Sequence, residues 1–153
     1  MLKRIIKFIL IVLWMLIIFI FSSDNSLEST KKSNSVITTV AEVILGRSLT
    51  PKEKETYIDK FVVITRKGAH YTVYLILGVL LLNFIKEFRP INFKSIFIAI
   101  FLAFLYASTD EFHQLFVSGR SGEVKDVLID TIGASTGCFI FYIIHNIRRK
   151  IHE

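Results

Sequence analysis

Residues 95–114 read SIFIAIFLAFLYASTDEFHQ, an almost unbroken apolar run that ends in two acids, a histidine and a glutamine. A run of this kind suits a helix that crosses about 30 Å of hydrocarbon, which takes roughly 17–25 residues. Three further apolar blocks lie at Ile5–Phe21, Ala69–Ile85 and Val127–Ile147. Inside a bilayer the backbone finds no water, so an α-helix is the economical spanning structure. The sequence therefore predicts an all-α, polytopic membrane protein, a bundle of four transmembrane helices.

The composition supports one membrane domain over residues 1–153. Hydrophobic residues make up 52% of the chain and the mean hydropathy is +0.55, whereas a soluble domain of this length would need a more polar surface. The first block also resembles a signal peptide, but Ser22-Ser23-Asp24 offers no small-x-small cleavage site, so we expect it to be retained. We place the spans near residues 5–22, 68–86, 93–110 and 126–147.

The net charge of +6 reflects how basic residues are distributed around the spans. Basic residues are dense at alternate span ends and have few acidic neighbours there, namely Lys3, Arg4, Lys7, Lys86, Arg89, Lys94, Arg148, Arg149 and Lys150. The remaining ten lysines and arginines are spread over the longer connections among many carboxylates. This is the positive-inside pattern. It predicts a multi-pass membrane protein with both termini cytoplasmic, and it accounts for the basicity without nucleic acid.

The segment between the first two spans, about residues 23–67, is predicted to be a short extracellular helical segment. Val36, Val40, Val43 and Ile44 recur at helical spacing, which indicates an amphipathic helix over roughly residues 33–45 with Gly46 at its end. The sequence Thr50-Pro51-Lys52-Glu53 then reads as a capping box, so a second helix should start there and run toward Phe61. We expect these helices to lie as a cap on the bilayer surface.

Polar residues gather at the outer ends of three spans. Asp110 and Glu111 end the third span, and Asp126 and Asp130, four residues apart, begin the fourth. Along the second span a series follows at steps of four, namely Arg66, His70, Tyr74 and Gly78. Ionisable groups are costly inside a bilayer, so we expect His70 and Asp130 to face inward and toward each other. Glycines on the second and fourth spans should let their backbones approach closely.

Several kinds of site fit this cluster. It can be an interhelical salt-bridge network that only specifies packing, a carboxylate–histidine pair for acid–base chemistry, or an anion site with a phosphate held by Arg66 and Arg120. A divalent-cation site made of Glu111, His113, Asp126 and Asp130 is disfavoured, because DEFHQ lacks the paired histidines of HExxH and puts Glu111 and His113 on different helix faces. We expect no metal and no other cofactor.

At these residues the chain resembles the VanZ-like family of bacterial membrane proteins over nearly its whole length. The resemblance is carried by FSSDNS after the first span, RKGAHYTVYLILG at the second, and YASTDEFHQLFVSGRSGEVKDVLIDTIGASTG across the third and fourth. Two departures lie in connecting segments, since the family often has Gln at Asp24 and Pro at Ser118. The matching polar positions here are Arg66, Lys67, His70, Tyr74, Asp110, Glu111, His113, Gln114, Arg120, Asp126 and Asp130.

The resemblance implies a contribution to resistance against teicoplanin-type glycopeptide antibiotics, without naming a reaction. Our leading hypothesis is a membrane factor that binds a lipid-linked cell-wall precursor or a lipoglycopeptide at the outer leaflet, among membrane lipids. The ligand would contact the matching positions other than His113. One alternative is an intramembrane enzyme acting on a cell-wall or phospholipid substrate, with catalytic candidates His70, Glu111, His113, Asp126 and Asp130. The other is a structural interaction module.

Overall fold

A computed structural model describes residues 1–152, which form five α-helices and no strand. Their bounds are α1 Leu2–Ser22, α2 Ser26–Leu45, α3 Pro51–Ile85, α4 Phe93–Gln114 and α5 Val124–His152. All except α2 are long and apolar enough to cross a membrane. The predicted all-α bundle of four membrane helices, with a helical segment between the first two, is confirmed.

The helix α3 is the centre of the bundle and contacts every other helix. Its approach to α5 is closest at glycines: a Cβ on Gly137 would lie 2.0 Å from the carbonyl oxygen of Leu75, and one on Gly133 would lie 2.3 Å from that of Tyr71. From the α3 side, a Cβ on Gly78 would lie 2.2 Å from an α5 carbonyl oxygen. Only glycine fits these positions, which confirms the predicted close approach of the two spans.

Interhelical hydrogen bonds attach α1 to the rest of the bundle. The Trp14 indole N–H donates to the Val73 carbonyl of α3 at 2.8 Å, and the Tyr106 hydroxyl of α4 donates to the Met15 carbonyl at 2.6 Å. At the end where α1 begins, the Lys7 ammonium lies 2.6 Å from a Glu87 carboxylate oxygen. Such bonds add to packing where lipid supplies no hydrophobic drive between helices.

The prediction of a separate helix ending near Phe61 is wrong, because α3 continues from Pro51 to Ile85 as one helix of 35 residues. The Thr50–Glu53 capping box is present as predicted, but no residue between Phe61 and Gly68 interrupts the helix. Gly68 is tolerated inside it. At about 1.5 Å per residue α3 is roughly 50 Å long, so its first turns extend beyond a hydrocarbon layer of about 30 Å.

The helix α2 packs on the first part of α3 as an antiparallel hairpin. It begins at Ser26, earlier than predicted, because the Asn25 side chain caps it by accepting from the Glu28 N–H at 2.9 Å. Glu42 accepts from the Leu49 N–H at 3.0 Å and pairs with Lys54 at 3.1 Å. These contacts, the backbone bond first, lower the pKa of Glu42.

The buried face of α2 differs from the apolar stripe read in the sequence. Ser33, Ile37 and Ala41 face α3, whereas the stripe of Val36, Val40, Val43 and Ile44 is exposed. Helical spacing identifies an apolar face, but in a membrane protein that face can meet lipid as well as protein. The stripe is available to a bilayer surface, in keeping with the expected position of the cap.

Candidate functional site

The candidate site lies at the polar end of the bundle, where α1 and α4 end and α5 begins. The connection from α4 to α5 turns at Gly119, whose φ of 73° is readily adopted only by glycine. It then folds back on α4, so closely that a Cβ on Gly122 would lie 2.5 Å from the Glu111 carbonyl oxygen. This turn brings the last residues of α4 against the first residues of α5.

Three helices contribute one side chain each to the centre of the site: His70 from α3, Glu111 from α4 and Asp130 from α5. One donor atom from each lies within 4.8 Å of the others. His70 Nδ1 is 3.5 Å from Asp130 Oδ1, so these two residues face each other as predicted. Asp130 is fully buried and Glu111 is 5% exposed.

Glu111 is held in place by two donors. Its Oε2 accepts from the Glu123 N–H at 2.9 Å, and its Oε1 accepts from Gln114 Nε2 at 3.2 Å. Gln114 Oε1 in turn accepts from Arg120 Nη1 at 3.2 Å. The arrangement fixes both oxygens of Glu111 without an ion pair to a cation.

Arg120 connects the α4–α5 turn to the end of α1. Besides Gln114, its guanidinium donates to the Asp24 carbonyl at 3.0 Å and to the Phe21 carbonyl at 3.5 Å. Burial, and then the neighbouring Arg66 charge, lower the pKa of Arg120. Arg120 therefore mainly connects the α4–α5 turn to α1 and α4, through hydrogen bonds to carbonyl oxygens and to an amide.

A separate ion pair lies one helical turn from the centre. Lys67 Nζ is 2.8 Å from Asp126 Oδ1, and both side chains are partly exposed. Its exposure makes it a modest contributor to stability. Lys67 therefore neutralises Asp126 and leaves the deeper carboxylates to other partners.

Two buried carboxylates and a phenol lack hydrogen bonds. Among residues 1–152, neither oxygen of Asp110 or Asp130 has a hydrogen-bond partner, nor has the Tyr74 hydroxyl. Asp110 is 3% exposed and Tyr74 is fully buried. Buried polar atoms without partners are unusual in folded proteins, and they are costly.

His113 does not join this cluster. Its ring lies against Phe19 of α1, with ring centroids 4.6 Å apart. The four residues considered from the sequence as a divalent-cation site, Glu111, His113, Asp126 and Asp130, are thus not brought together. His113 faces α1, and Asp126 is paired with Lys67. The other predicted positions lie at the polar end, namely Arg66, Lys67, His70, Tyr74, Asp110, Glu111, Gln114, Arg120, Asp126 and Asp130.

A cavity of about 550 Å³ adjoins the centre, between α1, α2 and α3. Its apolar lining includes Ile18, Phe21, Val36 and Val73, and its polar lining includes Lys32, Arg66, His70, Asp110 and Arg120. Lys32 and Val36 are not predicted as site residues, because nothing in the sequence shows how α2 is rotated against the bundle. Apolar walls with a few converging charges are typical of ligand sites.

One of three comparisons with known proteins identifies a family. A comparison with curated proteins and one with solved structures each found no match. A family model described as VanZ/LLP1 matches residues 7–145, which is nearly the whole chain and covers most of every helix. The chain therefore belongs to the VanZ/LLP1 family.

Proposed function

We propose that this protein binds an anionic amphiphile in the cavity at the polar end, with the head group at Arg66 and the acyl chain along the apolar wall. The observation that carries the proposal is the state of Arg66. Among residues 1–152 it has no hydrogen bond and no ion pair, although it is half-buried and lines the cavity. An arginine left free in a cavity is suited to a carboxylate or phosphate, which it can bind through two parallel hydrogen bonds.

The other cations of the cavity strengthen this assignment. Lys32 pairs with Asp24 at 2.5 Å, and Arg120 donates to Gln114 and two carbonyls. The charge of Arg66 acts unfavourably on its basic neighbours Lys67 and Arg120. An anionic head group would relieve this repulsion, whereas a cationic or neutral one would not.

The ligand class follows from the walls and from the expected topology. Ile18, Phe21 and Val73 offer apolar surface to an acyl chain beside the charged end. With both termini in the cytoplasm, as the basic flanks favour, the polar end would face the outer leaflet. A lipid-linked cell-wall precursor or a lipoglycopeptide would reach it from there. Through that binding we propose a contribution to teicoplanin-type glycopeptide resistance, as in the protein that gives the family its name.

The test is an Arg66→Gln substitution in purified protein in nanodiscs, with undecaprenyl phosphate and teicoplanin as probes. Losing a charged hydrogen-bond donor costs about 1.5–3 kcal/mol, so we expect the affinity for the bound probe to fall roughly tenfold or more. The thermal unfolding temperature should stay the same or rise slightly, since Arg66 has no hydrogen-bond or ion-pair partner within residues 1–152 to lose and its charge repels those of Lys67 and Arg120.

Arg89→Gln is the matched control, because it also removes one arginine charge. Arg89 follows the last residue of α3 and so lies at the end of the bundle opposite the polar end. It should bind the probe as the wild type does. Equal affinities of Arg66→Gln and wild type would refute the proposal. A loss of stability in step with binding would instead support a purely structural role for the cluster.

A further inference from the structure

The centre of the polar end has the donor atoms of a metal site. One imidazole nitrogen and two carboxylate oxygens, from His70, Glu111 and Asp130, lie within 4.8 Å of one another. We propose that these three residues bind a divalent first-row transition-metal ion, with Zn²⁺ and Mn²⁺ as the probes of choice. This inference does not rest on the proposed function.

The donor set selects the class of ion. Imidazole nitrogen suits Zn²⁺ and its first-row neighbours and carboxylate oxygen suits Mn²⁺, whereas Mg²⁺ and Ca²⁺ are bound through oxygen alone. Zn²⁺ takes histidine nitrogen and carboxylate oxygen together at about 2.0–2.2 Å. Donors of one ion are therefore at most about 4.4 Å apart, and small side-chain rotations would bring the present set within that limit.

The state of Asp130 points independently to a cation. It is fully buried, and neither of its oxygens has a hydrogen bond within residues 1–152. His70 Nδ1 lies 3.5 Å from its Oδ1, which is long for a hydrogen bond. A buried carboxylate in this state must be neutralised by a proton or by a cation.

The charges around the centre favour the cation. Asp110 is also buried and without a hydrogen bond, so in its ionised form it would add a third negative charge to those of Glu111 and Asp130. Of the cations close by, Lys67 pairs with Asp126 and Arg120 donates to Gln114, and within residues 1–152 Arg66 forms no ion pair with any of these carboxylates. One doubly charged ion would balance two of these negative charges at once.

Hydrogen bonds orient one of the three proposed ligands, as is usual for metal ligands in proteins. Glu111 is fixed by hydrogen bonds from Gln114 and from the Glu123 N–H, so its oxygens are held in place. Hydrogen bonds of this kind orient ligands and contribute to metal affinity. Three protein ligands leave a position for water or for a ligand oxygen. His70 also lines the cavity, so an anionic head group bound there would be near the ion.

The test is calorimetric titration of the full chain, stripped with chelator in detergent, with Zn²⁺, Mn²⁺ and Mg²⁺. We expect about one equivalent of Zn²⁺ or Mn²⁺ to bind the wild type, with a rise in unfolding temperature, and Mg²⁺ to bind far more weakly. Asp130→Asn keeps the side-chain volume and should lower the affinity at least tenfold. Asp126→Asn, a carboxylate one turn away on the same helix, should bind within about fivefold of the wild type.

Further measurements keep the result decisive. If Asp130→Asn does not fold, Glu111→Gln replaces it. The visible spectrum of Co²⁺-loaded wild type reports directly on nitrogen and oxygen ligation. Absence of stoichiometric binding by the wild type, or equal binding by the variants of the three residues, would overturn the proposal. Arg66→Gln should bind the metal normally, which separates failure of this site from failure of the amphiphile site.

Discussion

Replacing Gly137 with alanine is expected to destabilise the protein by about 1–3 kcal/mol, the usual range for overpacking a close contact. The new methyl group would lie 2.0 Å from the backbone carbonyl oxygen of Leu75. A backbone atom cannot rotate away as a side chain can, so α3 and α5 must separate. Separation would also disturb the polar end, because Asp130 lies on α5 and His70 on α3.

Gly68→Ala is the matched control, since a Cβ on Gly68 would meet nothing within 4 Å. Alanine is the better helix former by about 0.8–1.0 kcal/mol, so this variant should be as stable as the wild type or more stable. The measurement is unfolding of detergent-solubilised protein followed by circular dichroism. Equal stabilities of the two variants would show that α3 and α5 are not in the close contact described.

Arg120→Ala should lower the stability by about 1.5–3 kcal/mol, the cost of losing hydrogen bonds from a charged group. The substitution removes the bonds to the Asp24 and Phe21 carbonyls and leaves the buried Gln114 Oε1 without its donor. The α4–α5 turn would lose its connection to α1. Hydrogen exchange should therefore rise at the amides of residues 117–123, in addition to a lower unfolding temperature.

Arg66→Gln serves as the comparison, because Arg66 has no such partners among residues 1–152. A similar loss of stability in both variants would contradict the division of roles between the two arginines. The division also decides how binding data are read. Weaker ligand binding in Arg120→Ala alone would reflect the displaced turn as much as a lost contact, so Arg66 is the more informative position.

Much of the fold is predictable from short-range patterns. The apolar runs locate the four spans, because their length is set by the thickness of the bilayer. The Thr50–Glu53 capping box and the Gly46 helix end follow from local backbone chemistry, and both are present. The close approach at Gly137 follows from small residues repeated along one helix face.

Two features of the fold were not predictable from the sequence: the continuity of α3 past Phe61 and the rotation of α2 about its own axis. Nothing local distinguishes a helix that stops near Phe61 from one that continues, since no breaker residue lies there. The exposed stripe of α2 has the periodicity of a buried face, because lipid and protein interior are both apolar.

In the site, too, features that depend on one helix are predictable, whereas those that depend on how several helices are placed are not. Helical spacing within one span correctly placed Asp130 and His70 on inward faces, opposite each other. Their meeting with Glu111 depends on the relative depth and rotation of three helices, which spacing along one chain segment does not contain. For the same reason, the free state of Arg66 is visible only once its neighbours are in place.

The central claim, that the cavity at the polar end holds an anionic amphiphile, is tested most directly by photo-crosslinking. A phosphate-headed lipid with a diazirine in its acyl chain would be activated in nanodiscs and its adducts mapped by peptide mass spectrometry. We predict labelling at the cavity-lining residues Ile18 and Val73, reduced by undecaprenyl phosphate and by Arg66→Gln but not by Arg89→Gln. Labelling confined to exposed apolar residues such as Phe97 and Ile143, unchanged by competitor or substitution, would contradict the account.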